Sequence, residues 1–239
     1  MSGWKAKRFW SAAVAEPCDG GFAVRLDGRA VKTPAKTSLV VPTQALAEAI
    51  AAEWDAQQGL VKPDTMPCTR AANSALDKVS PQFAEVVGLL AAYGETDLLC
   101  YRAEAPQPLV ARQTAGWDPV LAWAADALKA PLRVTSGVVP IAQDADVLRR
   151  LHDQVAALSP FHLAAFHDLV AISGSLILGF AVIHGRLTAP EAWALSRIDE
   201  QWQIDQWGED EEAAALEARR HADFLQAARF YGLCGAQSA

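Results

Sequence analysis

The spacing of apolar and polar positions changes period once along the chain, and the change divides it into two kinds of structure. Between residues 8 and 41, short apolar and β-branched runs alternate with turn signals, the pattern of an antiparallel sheet. In GFAVRLDGRAVKTP (21 to 34), Asp27-Gly28 supplies the positive φ angles of a two-residue hairpin turn. That register sets Leu26 opposite Arg29, Val24 opposite Val31 and Phe22 opposite Thr33, so apolar residues share one face while Arg25 and Lys32 take the other. SLVV (38 to 41) and RFWSAAV (8 to 14) predict further strands, giving a meander of about four.

After Pro42 the period lengthens to that of a helix. Leu46, Ile50 and Trp54 recur every four residues in TQALAEAIAAEWDAQQG, with Thr43 as N-cap and Gly59 as the C-terminal stop. This helix is expected to cover the apolar face of the sheet. The proline-rich LVKPDTMP (60 to 67) then predicts a boundary. Beyond it, residues 69–79, 81–94, 117–128, 144–158 and an apolar segment near 162–184 read as helices, with 97–103 and 132–140 as strands or extended connectors. The expected fold is α+β: a small N-terminal antiparallel sheet with a covering helix over residues 1–66, followed by a larger all-helical domain over residues 67–239.

Thr188 and Glu191 form a T-x-x-E capping box with Pro190 in the first turn, which predicts one helix from about 189 to Gly208. On it, Leu195, Ile198 and Trp202 share one side, while Trp193, Ile204 and Trp207 cluster on nearly the opposite side. Glu200 falls between Trp193 and Ile204 in angle, with Arg197 and Gln203 flanking it. A helix with two apolar faces is either enclosed or shows one face to a partner. Two readings therefore stand side by side: Arg197 satisfies Glu200 as an i, i+3 pair while the tryptophans cover neighbouring helices, or Glu200 meets a group from another chain. In the next segment, residues 208–230, acids precede arginines, an order that complements the helix dipole.

Composition narrows the function classes. Of 239 residues, 51% are hydrophobic and 21% charged, enough apolar material for a folded core. A net charge of -7 without long blocks of either sign argues against nucleic acid and anionic lipid. Four scattered cysteines predict reduced thiols. The basic residues of MSGWKAKRFW have no apolar run behind them, so the start reads as neither signal nor transit peptide. The apolar run from 169 to 183 is shorter than the about 20 residues of a membrane span and is expected to be a core helix.

Candidate chemistry fares poorly. No phosphate-binding glycine motif opens a helix, and the glycines of SGSLILG (173 to 179) are expected to admit a neighbouring helix. Among His152, His162, His167, His184 and His221, the one close pair, His162 and His167, projects about 140° apart on a helix and cannot share a metal. Ser173 and Ser175 stand near His167 and Asp168 in sequence but without a nucleophile elbow. Asp199 and Asp205 project about 120° apart, too far round the helix for paired acid-base work. No catalytic residue, cofactor or metal is predicted.

Taken in order, RFW, LDGRAVKTP, AIAAEWDAQ, MPCTRAANSALDKV, YGETDLLCYRA, SGSLILGFAV and LSRIDEQWQIDQWGED resemble the assembly-chaperone family that attends the alpha subunit of the F-type ATP synthase catalytic sector, found in mitochondria and alphaproteobacteria. The resemblance runs from about Arg8 to Leu233; the departures from it are Trp10, where tyrosine is more usual, and the missing targeting segment. It implies a non-enzymatic two-domain chaperone that binds the unassembled alpha subunit and shields its interface until the beta subunit replaces it. It also implies a protein client, with no cofactor, nucleic acid, membrane insertion or small-molecule substrate. Client binding is placed at Asp199, Glu200, Gln203 and Trp207, and the helical projection adds Trp193 and Ile204. Trp54, from the EWDAQ motif, is assigned to packing. Without a targeting segment, a bacterial cytoplasmic location is expected, the family's eukaryotic members being mitochondrial. The rival readings are a small hydrolase on a helical scaffold and an adaptor with a different client.

Overall fold

The computed structural model describes residues 7–137 and 139–236. Contacts divide the chain into two compact units: Met1–Phe83, Ser159–Ala165 and Arg229–Ala239 form the first, Ala84–Leu158 and Phe166–Ala228 the second. This grouping differs from the division expected between residues 66 and 67. The helix after the proline-rich turn stays with the first unit because Cys68 and Ala72 are buried in its core.

In the first unit, β1 (Ala13–Cys18), β2 (Gly21–Leu26) and β3 (Arg29–Ala30) form an antiparallel meander, and β4 (Val40–Val41) pairs with β2. The hairpin turn is as expected, with Asp27 at φ 46° and Gly28 at φ 80°, and Leu26 lies opposite Arg29. Phe22, however, pairs with Val41. The hairpin ladder ends early because Thr33 turns away, its hydroxyl donating to Asp77 Oδ1 at 2.7 Å. The strand expected at 8–14 is displaced to Ala13–Cys18, since Asp19-Gly20 makes a second hairpin turn with Cys18 opposite Gly21. Residues 8–12 are held instead by Arg8, whose guanidinium donates to the carbonyls of Trp10, Ser11 and Gln57.

Helix α1 (Gln44–Asp55) covers the sheet, and Thr43 caps it by accepting a hydrogen bond from Leu46 N. Leu46, Ile50 and Trp54 are buried, and Trp54 meets Trp10 edge-on at 5.2 Å. The helix ends at Asp55, short of Gly59, and the buried Gln57 amide organises the turn that follows by accepting from Lys62 N. Helix α2 (Pro67–Ser74) continues into a π-helical turn, Ala75–Val79. Its first turn is capped by Glu53, which accepts from Cys68 N and Thr69 N.

The second unit is mostly helical, built on α3 (Phe83–Ala91), α4 (Gln107–Ala127), α5 (Ala145–Ala156) and most of α6 (Pro160–Ser173), followed by α7 (Leu176–Ile183). Two short strands, β5 (Tyr101–Arg102) and β6 (Thr135–Ser136), pair in parallel. Helix α4 begins ten residues earlier than expected and runs through Pro119. The single apolar helix expected at 162–184 is two helices. Gly174 adopts φ 76°, a conformation that a Cβ would strain, and Ser175 caps α7 by accepting from Leu178 N at 3.0 Å. The close approach expected of SGSLILG is real at Gly179, where a Cβ would lie 2.9 Å from Val170 and 3.0 Å from Phe166.

Candidate functional site

The capping box forms as the spacing predicts: Thr188 Oγ accepts from Glu191 N, and Glu191 Oε2 accepts from Thr188 N at 2.7 Å. The helix it starts, α8 (Ala189–Ser196), stops at Arg197, whose φ and ψ are -114° and 18°; α9 (Ile198–Trp207) begins after it. The single helix expected from 189 to 208 is therefore bent into two. No Gly or Pro marks the bend. Tertiary partners hold it: the buried Trp117 indole donates to Leu195 O at 2.8 Å, and the Arg197 guanidinium donates to Ile172 O at 3.3 Å and Ser173 O at 3.4 Å.

The inward stripe survives the bend. A Cβ at Gly116 on α4 would lie 2.9 Å from both Leu195 and Ile198, so these two side chains meet the backbone of α4 directly. Trp202 lies on the same side, under Arg112 with the guanidinium carbon 4.9 Å from the ring. Arg112 also pairs with Asp205 at 2.7 Å. Hydrogen bonds from Gln201 and Arg112 hold the Asp205 carboxyl below its usual pKa.

The six predicted partner-binding residues fall into two groups. Trp193 and Asp199 have partners inside the unit. Trp193 stacks on His221 (5.1 Å, 22° between planes) and leans on Phe224, both from α10 (Glu211–Leu233). Asp199 accepts from Gln113 Nε2 at 2.6 Å, and the other end of that buried amide accepts from Ala103 N. Glu200, Gln203, Ile204 and Trp207 follow the i, i+3, i+4, i+7 spacing of one helix face. Trp207 is 79% exposed, Gln203 is exposed, Ile204 is half-buried, and the Glu200 side chain is 51% exposed.

Glu200 also makes the i, i+3 pair with Arg197, at 3.1 Å. The i, i+3 pair of the first reading is present, and the carboxylate still reaches solvent. Arg112, Gln113 and Glu217 complete the surroundings of α9, and the sequence reading had not singled them out.

The other candidates have local roles. Ser173 donates to Leu169 O at 2.6 Å, and Ser175 donates to Asp97 Oδ1 at 2.8 Å; both are buried at helix ends. His167 pairs with its neighbour Asp168 and not with either serine. No group of His, Cys, Asp and Glu arranged for a metal occurs among the described residues. Among those same residues, no helix is long and apolar enough to cross a membrane.

Comparison with known proteins places this architecture among chaperones. The sequence profile of the family described as ATP12 chaperone protein matches residues 7–125. The chain is similar to the crystal structure of Atp12 from Paracoccus denitrificans, with a TM-score of 0.94 and 55% identity over 97% of this chain and 99% of that one. A point mutant of the P. denitrificans protein gives a TM-score of 0.95 and 54% identity over 98% of this chain and 100% of that one. Similarity extends to the mitochondrial protein atp12 of Schizosaccharomyces pombe, 28% identical over 224 residues, which span 88% of this chain and 77% of the relative. The chain belongs to the ATP12 chaperone family.

Proposed function

We propose that this chaperone serves ATP synthase assembly, and that it holds the unassembled alpha subunit of the catalytic sector until the beta subunit displaces it. The observation that carries the binding role is the outer face of α9, where Trp207 stands 79% exposed on the same helix face as the half-exposed Glu200. A large aromatic left in water is the type of anchor that protein interfaces bury, and the polar groups around it let the contact reverse. The ordered sequence motifs point to the alpha subunit as client, and the bacterial likeness supports a cytoplasmic site of action.

The test is co-expression with the alpha subunit in the absence of the beta subunit. The expected outcome is a rise in soluble alpha subunit and its co-purification with this chain. Glu200→Lys should lower that rescue while leaving the chain's own melting temperature nearly unchanged. Unaltered alpha-subunit solubility and no co-purification by the wild-type chain would refute the proposal.

A further inference from the structure

Arg197 is fixed from several sides. Its guanidinium lies over the Trp193 ring at 5.0 Å and donates to the carbonyls of Ile172 and Ser173 at the end of α6. With its side chain only 13% exposed, it cannot follow a ligand into solvent. Two carboxylates share its charge. Glu200 Oε1 lies 3.1 Å from Nη1. Glu217 Oε1, on α10, lies 3.8 Å from Nε: within ion-pair reach but beyond a hydrogen bond, with its side chain 35% exposed. One cation between two anions leaves a net local charge of about -1, and the carboxylate nearer to water is the one a second cation can reach.

We propose that Glu200 receives a lysine or arginine side chain of the client, and that Glu217 is the positioning residue that permits this by taking over Arg197. The inference rests on the client-binding reading of α9 and adds the chemistry of the partner's contact. Without Glu217, a client cation drawing Glu200 outward would leave the largely buried Arg197 without a carboxylate, which opposes binding. With Glu217 in reach, the exchange keeps both cations paired. Ile204 and Trp207, on the same face as Glu200, offer apolar surface to the aliphatic stem of the incoming side chain.

Two double-variant cycles test it. In the free chain, Glu200→Gln and Glu217→Gln should each move the urea midpoint little, because the remaining carboxylate serves Arg197. The double variant should move it by at least about twice the sum of the single shifts. Additive shifts would overturn the role of Glu217 whatever the client does. In binding to purified alpha subunit, Glu217→Gln should raise Kd about fivefold, the scale of one partly exposed charge pair. That loss should vanish in the Glu200→Gln background and be restored by Glu217→Asp. Equal losses with and without Glu200 would refute the exchange, since a merely structural Glu217 would weaken binding in both backgrounds. A wild-type chain that fails to bind the alpha subunit would overturn the client half of the proposal together with the reading beneath it. The urea cycle is independent of the client and decides the Glu217 half by itself.

Discussion

At the scale of single residues, Asp97 is a fully buried carboxylate in the second unit, and its burial has a direct energetic consequence. Its Oδ1 accepts from Ser175 Oγ and Leu99 N, and its Oδ2 accepts from Ile177 N at the start of α7. Burial pushes its pKa from 3.8 up to about 6, against the downward pull of those donors. Between those two values the folded chain holds a proton that the unfolded chain has released. The contribution of Asp97 to stability is therefore full below 3.8 and lost as pH rises through about 6, a change of ~3 kcal/mol. Asp97→Asn cannot ionise, and its amide sets a donor against donors, at a cost of ~1–3 kcal/mol. The stability lead of wild type over this variant, from urea melts, should fall by ~3 kcal/mol between about pH 4 and about pH 7, so that it closes or changes sign. A gap that stays constant would show that the donors keep Asp97 ionised throughout. The serine beside it illustrates what spacing cannot convey: near His167 in sequence, Ser175 looked like a candidate nucleophile, yet its hydroxyl caps a helix and serves Asp97.

At the scale of elements, α9 shows what was legible and what was not. The inward stripe of Leu195, Ile198 and Trp202 could be read from a 3.6-residue period, because burying apolar side chains leaves a local imprint. The bend at Arg197 left none, since its causes, Trp117 and the carbonyls of Ile172 and Ser173, lie far away in sequence. Arg112 and Gln113 were missed for a related reason. The buried positions of α4 run through Gln113, Trp117, Val120, Leu121 and Ala124, and the stripe looks as if it starts at Trp117 because the preceding buried turn is polar. Pro108, in the first turn of α4, was the remaining signal. These two residues hold the inner side of α9, so stability should depend on that side and binding on the other. Gln113→Leu leaves Ala103 N and Asp199 without their partner and should cost ~2–3 kcal/mol, with faster amide exchange at the start of α9. Trp207→Ala should leave the melting temperature unchanged within error and reduce capture of the alpha subunit. A large drop in melting temperature for Trp207→Ala would mean that its ring is structural after all.

At the scale of the whole molecule, the α+β class was readable because the change of period falls at one place, near residue 42. The membership of the first unit was not, because segments 159–165 and 229–239 join it from far along the chain. His162 makes that joining visible: its ring bonds to Ser159 Oγ and Gly235 O and meets the Tyr231 ring at 4.6 Å, while burial lowers its pKa. Periodicity reports a residue's own element and says nothing about such distant closures. Charge, by contrast, is a global quantity fully present in the sequence. The net -7 is reinforced next to the exposed ring of Trp207, which is followed within five residues by Glu209, Asp210, Glu211 and Glu212. An acidic surface around an apolar anchor should speed the approach of a basic client patch and leave the dwell time to the anchor. Association with the alpha subunit should therefore slow about tenfold between roughly 50 mM and 500 mM salt, as the screening length shrinks to about 4 Å and long-range attraction is lost, while dissociation changes much less. Stopped-flow or biosensor kinetics across that range separates the two rates. An association rate indifferent to salt would show that the acids around Trp207 do not steer the client and that the contact forms through its apolar anchors alone.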